Sequence, residues 1–184
     1  MKKLLLLLTT AFFVTGSAGK AQSTMSAQKA AEEINSPNLK TLVSDTSNSE
    51  GIAALEKAVT ESGDKLDVLY LNAAIATFGP IEQVTEADFD AQFSTNVKGH
   101  FFTLQKLLPH LADGASVIFT SSVVATSAGI GTSVYSATKG ALNKFSTDVE
   151  KAKMVKGADR INIGSVLFAN DDIAKGTSWP VKGP

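Results

Sequence analysis

Tyr135 and Lys139 stand four residues apart in the stretch Ser133-Val134-Tyr135-Ser136-Ala137-Thr138-Lys139. On a helix that spacing puts both side chains on one face. A phenol beside an ammonium is an acid/base unit, because a nearby positive charge favours the phenolate and lowers the tyrosine pKa. Ser122 lies upstream, just after the apolar run Ser116 to Phe119 that reads as a strand, and its hydroxyl could join the same spot. A bare Tyr-x-x-x-Lys is also what a surface tyrosine beside a surface lysine looks like. The surrounding elements decide between the two.

Those elements alternate. A helix over residues 24 to 35 ends at Ser36-Pro37-Asn38, and Leu39 to Ser44 reads as a short strand closed by Asp45-Thr46-Ser47-Asn48. Ser49 to Ser62 reads as a helix with Ile52, Leu55 and Val59 on its apolar stripe, broken by Gly63-Asp64-Lys65. Leu66 to Leu71 is the next strand, ending at Asn72-Ala73-Ala74. Thr85 reads as the N-cap of a long helix that runs to about Leu111 and bends near Gly99, with Asp88 in the reciprocal capping position. Asp113-Gly114 reads as a turn and Ser116 to Thr120 as a strand. Tyr135 to about Val155 is a helix with Ala141, Leu142, Phe145 and Val149 on its stripe, and Arg160 to Leu167 is the last strand. The tail from Phe168 to Pro184 reads as irregular.

Strand and helix in alternation predict a doubly wound parallel α/β sheet in a single domain. Ligands of such sheets sit beyond the carboxyl ends of the strands. Asp45, Asn72, Ala73, Ala74 and Ser122 all fall at such ends, so the candidate chemistry gathers on one rim.

Composition narrows the classes of function. The 184 residues are 43% hydrophobic and 19% charged, enough apolar material for a sizeable core. With 17 basic and 18 acidic residues the formal net charge is -1, and no basic block marks a nucleic-acid surface. The absence of cysteine removes disulfides, thiolate nucleophiles and cysteine zinc sites, and no metal site is expected. His100 and His110, the only histidines, read as ordinary residues of their helix.

The first twenty residues have two readings. Lys2-Lys3, the apolar run Leu4 to Val14 and the small polar Thr15 to Ser23 have the layout of a secretory signal peptide. The run is short for a membrane span. The same residues equally read as a buried strand, Leu5 to Thr15, followed by a glycine-containing turn and a helix.

From about Leu39 to Ile163 the chain resembles the classical short-chain dehydrogenase/reductases. Leu69-Tyr70-Leu71-Asn72-Ala73-Ala74 is similar to that family's Asn-Ala-Gly strand end, with Ala74 in place of glycine. Asn96, in Phe93-Ser94-Thr95-Asn96-Val97-Lys98-Gly99, matches its mid-helix asparagine; Ser122, Tyr135 and Lys139 match its catalytic serine and Tyr-x-x-x-Lys; Asp45 matches the aspartate that touches adenine. The resemblance implies a Rossmann-like fold, NAD or NADP as cofactor, and a small carbonyl or alcohol substrate. It implies Tyr135 as proton donor or acceptor and Lys139 on the nicotinamide ribose. Ser122 would hold the carbonyl oxygen, and Asn96 would hold a relay water. Gly16, Asp45, Asn72, Ala73 and Ala74, with Tyr135 and Lys139, would bind the cofactor. It further implies a homodimer or homotetramer paired through the helices at 85–111 and 135–155, although Ala141 and Phe145 could equally face the chain's own sheet. A nicotinamide enzyme belongs in the cytoplasm; a cleaved signal peptide would instead mean export.

The chain departs from the family pattern at its start. The family's glycine-rich loop lets the backbone approach a pyrophosphate at a helix N-terminus. In Thr15-Gly16-Ser17-Ala18-Gly19-Lys20-Ala21-Gln22, Gly16 fits the first glycine, but Lys20 and Gln22 fill the other two positions. The interval from Gly16 to Asp45 is short by about one βα unit, which predicts about five strands in a flavodoxin-like order if Leu5 to Thr15 is the first of them. If residues 11 to 16 are instead the family's second strand, the glycine-loop unit itself is missing. A non-catalytic relative that keeps the fold and has lost tight cofactor binding is therefore the alternative to an oxidoreductase.

Overall fold

The computed structural model describes residues 4–5, 32, 34–37, 39–127, 129–152 and 162–168. Gly16 and the rest of the glycine-loop region, most of the helix expected over 24–35, and the tail beyond 168 lie outside them. Four parallel strands, β1 (Leu4–Leu5), β2 (Leu66–Leu71), β3 (Leu111–Ser122) and β4 (Asn162–Phe168), pair in chain order. Leu4 and Leu5 sit beside Val68 and Leu69, so the described part of the N-terminal run is a strand at the edge of this sheet. The helices are α1 (Ser49–Ser62), α2 (Glu86–Phe93), α3 (His100–Leu107) and α4 (Ser133–Ala152).

The boundaries follow from local chemistry. Asn48 caps α1 by accepting from the Gly51 N–H, and Gly63 ends it in the left-handed conformation that glycine adopts without strain. Thr85 caps α2 by accepting from Asp88 N–H at 3.1 Å, and its hydroxyl donates to the Asp88 carboxylate at 2.6 Å. Between α2 and α3 the chain widens into a π-helical segment, Ser94–Gly99, where the sequence predicts a bend. Gly99 is required there, because a Cβ would stand 2.7 Å from the Thr46 carbonyl oxygen.

The stripes on α1, α3 and α4 meet one face of the sheet. Leu55 and Val59 of α1, Leu104 and Leu107 of α3, and Leu142 of α4 close over Leu69, Leu71, Val117 and Phe119. Fully burying each such side chain stabilises the fold by about 1.5–3 kcal/mol. Phe145 packs on Phe119 with ring centroids 5.5 Å apart, so of the two orientations open to it, it takes the one facing its own sheet.

Three expectations are corrected. Leu39 to Ser44 forms no strand: the segment has no ladder among the described residues and leaves Val43 77% exposed, and a strand needs a neighbour to pair its backbone. The described strands number four. Asp113-Gly114 does not end a turn before the strand. It lies inside β3, with Gly114 at φ 78, where the pairing jumps from Leu66–Leu111 to Val68–Ser116 and the extra residues bulge out. The long helix stops at Leu107, followed by a short 3-10 turn, and Leu111 already belongs to β3.

Candidate active site

Parallel pairing of β2 with β3 brings their carboxyl ends side by side, and α4 begins just beyond. Ser122 is the last residue of β3, extended and buried. Tyr135 occupies the first turn of α4, and its phenol is hydrogen-bonded to the Ser122 side chain. Lys139, one turn further, has 0% exposure. Its Nζ donates to the Thr120 carbonyl at 2.8 Å and lies 5.6 Å from the centre of the Tyr135 ring. Phe78, from the loop after β2, packs its edge on Tyr135 at 5.8 Å and 89°. That loop is tied to the β3–α4 connection by the Gly79 N–H donating to the Gly131 carbonyl at 2.9 Å.

Asn96 holds the floor of the site. Its Oδ1 accepts from Ile75 N–H at 2.9 Å and its Nδ2 donates to the Ile75 carbonyl at 2.8 Å, fixing the strand end just past Ala73 and Ala74. The same Nδ2 donates to Thr138 Oγ1 at 3.1 Å, and the Thr138 hydroxyl donates to the Tyr135 carbonyl at 2.7 Å. The backbone of Asn96 is engaged as well, because its carbonyl accepts from His100 Nδ1 at 2.6 Å.

Asn72 stands in a hydroxyl triangle. Its Oδ1 accepts from Thr120 Oγ1 at 2.6 Å and from the Tyr70 hydroxyl at 3.1 Å. Thr120 thus joins the Asn72 strand end through its side chain and Lys139 through its carbonyl. Asp45 is engaged locally: its carboxylate accepts from Ser47 N–H at 3.0 Å and from Asn48 Nδ2 at 2.9 Å. Hydrogen bonds from the Ser47 side chain and then its backbone, with a smaller share from Asn48, outweigh burial and hold its pKa below the usual carboxylate value. The Asp45–Thr46 turn is seated against Gly51 and Gly99 and so reaches the π-helical segment that carries Asn96.

The electrostatics differ from the simple phenol–ammonium expectation. Burial pushes the Tyr135 phenol up, opposed only by the Ser122 hydrogen bond. Lys139 is itself pushed down to about 8 by burial. The ammonium donates one bond to the Thr120 carbonyl and lies beside the ring, and burial sets the direction of the phenol's shift. An ammonium has three donors and one is used by Thr120, which leaves the donor set suited to a pair of vicinal hydroxyls such as a ribose presents. Ala73 and Ala74, both buried, follow Asn72 at that strand end.

His100, with Thr120, Thr138 and Phe78, is what the sequence reading missed. Burial lowers His100 to about 4, the Asn96 carbonyl works the other way, and Lys139 lowers it further. The available signal was its position four residues after Asn96 on one helical face. A pH dependence follows. The unfolded chain takes up a proton near the ordinary histidine value of 6.5, whereas folded His100 does so only near 4. Between those values the unfolded state binds more protons, so stability falls as pH drops from 6.5 towards 4. Lys139 acts with the same sign at the other end: from about 8 up to 10.5 the unfolded chain keeps a proton the folded one has released, so stability gains as pH rises. Urea denaturation across the acid range checks the first effect; the acid slope is expected to be shallower in His100→Asn than in the wild type.

A parallel α/β sheet with a serine, a tyrosine and a lysine converging past its strand ends is a Rossmann-like architecture. A sequence model of the family described as short chain dehydrogenase matches residues 10–167. The chain belongs to the short chain dehydrogenase family. Versicolorin reductase stcU of Emericella nidulans is 33% identical over 128 residues, 68% of this chain and 48% of that protein. A short-chain dehydrogenase/reductase of Pestalotiopsis microspora is 34% identical over 128 residues, again 68% of this chain and 48% of that protein. This chain therefore spans about half the length of these relatives. Among solved structures, a short-chain dehydrogenase of Burkholderia cenocepacia in complex with NADP is 25% identical with a TM-score of 0.67, over 85% of this chain and 62% of that one. A Brucella melitensis member has a TM-score of 0.71 at 21% identity, over 79% of this chain and 62% of that one, and shares the fold. No helix among the described residues is long and apolar enough to cross a membrane, and no group of metal-binding side chains is found among them.

Proposed function

We propose that this chain is an NAD(P)-dependent oxidoreductase acting on a small carbonyl or alcohol, with Tyr135 as its general acid/base. The observation that carries this reading is the buried Ser122–Tyr135–Lys139 constellation at the carboxyl ends of β2 and β3. The nicotinamide cofactor, when bound, supplies or accepts the hydride. Lys139 would offer its remaining donors to the ribose hydroxyls, and Ala73 and Ala74 would face the cofactor along the strand end. Asp45 would meet the adenine end after giving up part of its local hydrogen bonding. Gly16 would face the pyrophosphate.

Ser122 holds the substrate oxygen beside the Tyr135 hydroxyl. Tyr135 gives its proton to that oxygen in reduction and takes it back in oxidation. Its raised pKa keeps the phenol protonated at neutral pH, which suits the reducing direction. Asn96 holds Ile75 and Thr138 so that the two walls of the site keep their spacing. A homo-oligomer using α3 fits its exposed Phe101 and Phe102, and a cytoplasmic setting fits the cofactor. Lys20 and Gln22, in place of two glycines, support a second reading: a non-catalytic binding or scaffold relative that keeps the fold and has lost tight cofactor binding.

The test is nicotinamide absorbance with the purified chain, NADH or NADPH, and a set of aromatic and aliphatic ketones. Substrate-dependent loss of absorbance is the expected result. No oxidation with any ketone, together with no saturable binding of either cofactor, supports the non-catalytic reading instead.

A further inference from the structure

His100 lies outside the serine, tyrosine and lysine constellation, yet it is built into the same floor. In a regular α-helix the backbone N–H of residue 100 would satisfy the carbonyl of residue 96. Here the His100 N–H goes to the Val97 carbonyl, and the imidazole reaches the Asn96 carbonyl through Nδ1 at 2.6 Å. The ring is buried and stands edge-on to Phe119 at 6.3 Å and 76°. A carbonyl only accepts, so Nδ1 carries the proton and Nε2 the lone pair. Nε2 has no hydrogen-bond partner among the described residues.

We propose that His100 is a positioning residue of the acid/base unit: its neutral imidazole, donating Nδ1–H to the Asn96 carbonyl, fixes the Asn96–Thr138–Tyr135 chain of hydrogen bonds on which Tyr135 and Lys139 stand. The proposal deepens the reading of Tyr135 and Lys139 as an acid/base pair. The chain runs from His100 on α3 through Asn96 Nδ2 to Thr138 Oγ1, and from that hydroxyl to the Tyr135 carbonyl on α4. Among the described residues the titratable groups set at Lys139 are Tyr135, one turn back on α4, and His100 from α3. Since His100 stays neutral down to about pH 4, it adds no second positive charge beside Lys139 at working pH. Burial is what holds Lys139 down, and a floor loosened by loss of the cap admits solvent to its ammonium. Loss of the cap therefore moves the Lys139 titration upward, towards its ordinary value.

Two amide variants separate the donor from the volume. The amide nitrogen of asparagine falls at the Nδ1 position, whereas that of glutamine falls at the Nε2 position and fills the space. Lys139 is titrated by NMR in the free protein, a readout that requires no turnover and so fails independently of the oxidoreductase reading. In His100→Gln the Lys139 midpoint is expected to rise by about half a pH unit or more, and in His100→Asn to stay near the wild-type value. Where turnover is measurable, kcat should fall about tenfold in His100→Gln with KM little changed, and recover in His100→Asn. A Lys139 midpoint that is unmoved in folded His100→Gln overturns the proposal. So does His100→Asn behaving like His100→Gln, since that ranks the variants by disruption alone. Should the glutamine variant not fold, imidazole ¹⁵N shifts of the wild type carry the test: protonated Nδ1 with bare Nε2 is expected, and the opposite tautomer overturns it.

Discussion

Tyr135→Phe is expected to lower turnover by about 10²–10⁴-fold, the usual worth of a positioned general acid. That corresponds to about 2.7–5.4 kcal/mol of transition-state stabilisation. The substitution removes one oxygen and keeps the ring, so the edge contact with Phe78 and the place of Lys139 over the ring face survive. Of the groups proposed to face the cofactor only the Tyr135 hydroxyl is lost while Lys139 stays, and cofactor affinity should change by less than about threefold. Ser122 loses its phenol partner but keeps its contact with the Val124 N–H. Steady-state rates and cofactor titrations on the same preparations check both halves. A variant retaining more than about a tenth of wild-type turnover removes the tyrosine from proton transfer.

The second large effect is on stability. Asn96→Leu is expected to destabilise the fold by about 2–5 kcal/mol, measured by urea denaturation. The leucine fits the volume, but the Ile75 N–H and carbonyl and the Thr138 hydroxyl together lose an acceptor and two donors at a position with 0% exposure. Each orphaned buried polar group costs about 1–3 kcal/mol. Against a typical total of about 5–15 kcal/mol this is a large share. A change under about 0.5 kcal/mol would mean that water takes over all three partners and that Asn96 does not hold the floor.

Some of this was legible in the residues. Asn48 and Gly63 punctuate α1, and its stripe of Ile52, Leu55 and Val59 is the buried face. Leu66 to Leu71 reads as a strand because a continuous apolar run between turn residues suits a parallel sheet. Ser122, Tyr135 and Lys139 were readable as a unit because strand end and helix start fix their approach. Leu39 to Ser44 misled, since an apolar-leaning segment reads as a strand whether or not a neighbour exists to pair it. Asp113-Gly114 misled for a different reason: the same dipeptide serves a turn and a bulge.

The site's floor was the least legible part. No local pattern announces that residues 94–99 form a π-helical segment, and without it the His100 ring has no reason to reach the Asn96 carbonyl. The sign of the Tyr135 shift was also out of reach. Proximity of the lysine argued for a lowered phenol, whereas burial, visible only in three dimensions, raises it.

The central claim is that a nicotinamide cofactor binds beside Tyr135 although Lys20 and Gln22 replace two loop glycines. Fluorescence titration of NADH and of NADPH with the purified chain tests it most directly. Saturable enhancement or quenching of nicotinamide emission is expected with at least one of the two, retained in Tyr135→Phe and weakened in Lys139→Met. Absence of any saturable change up to millimolar cofactor, in protein shown to be folded, would contradict it.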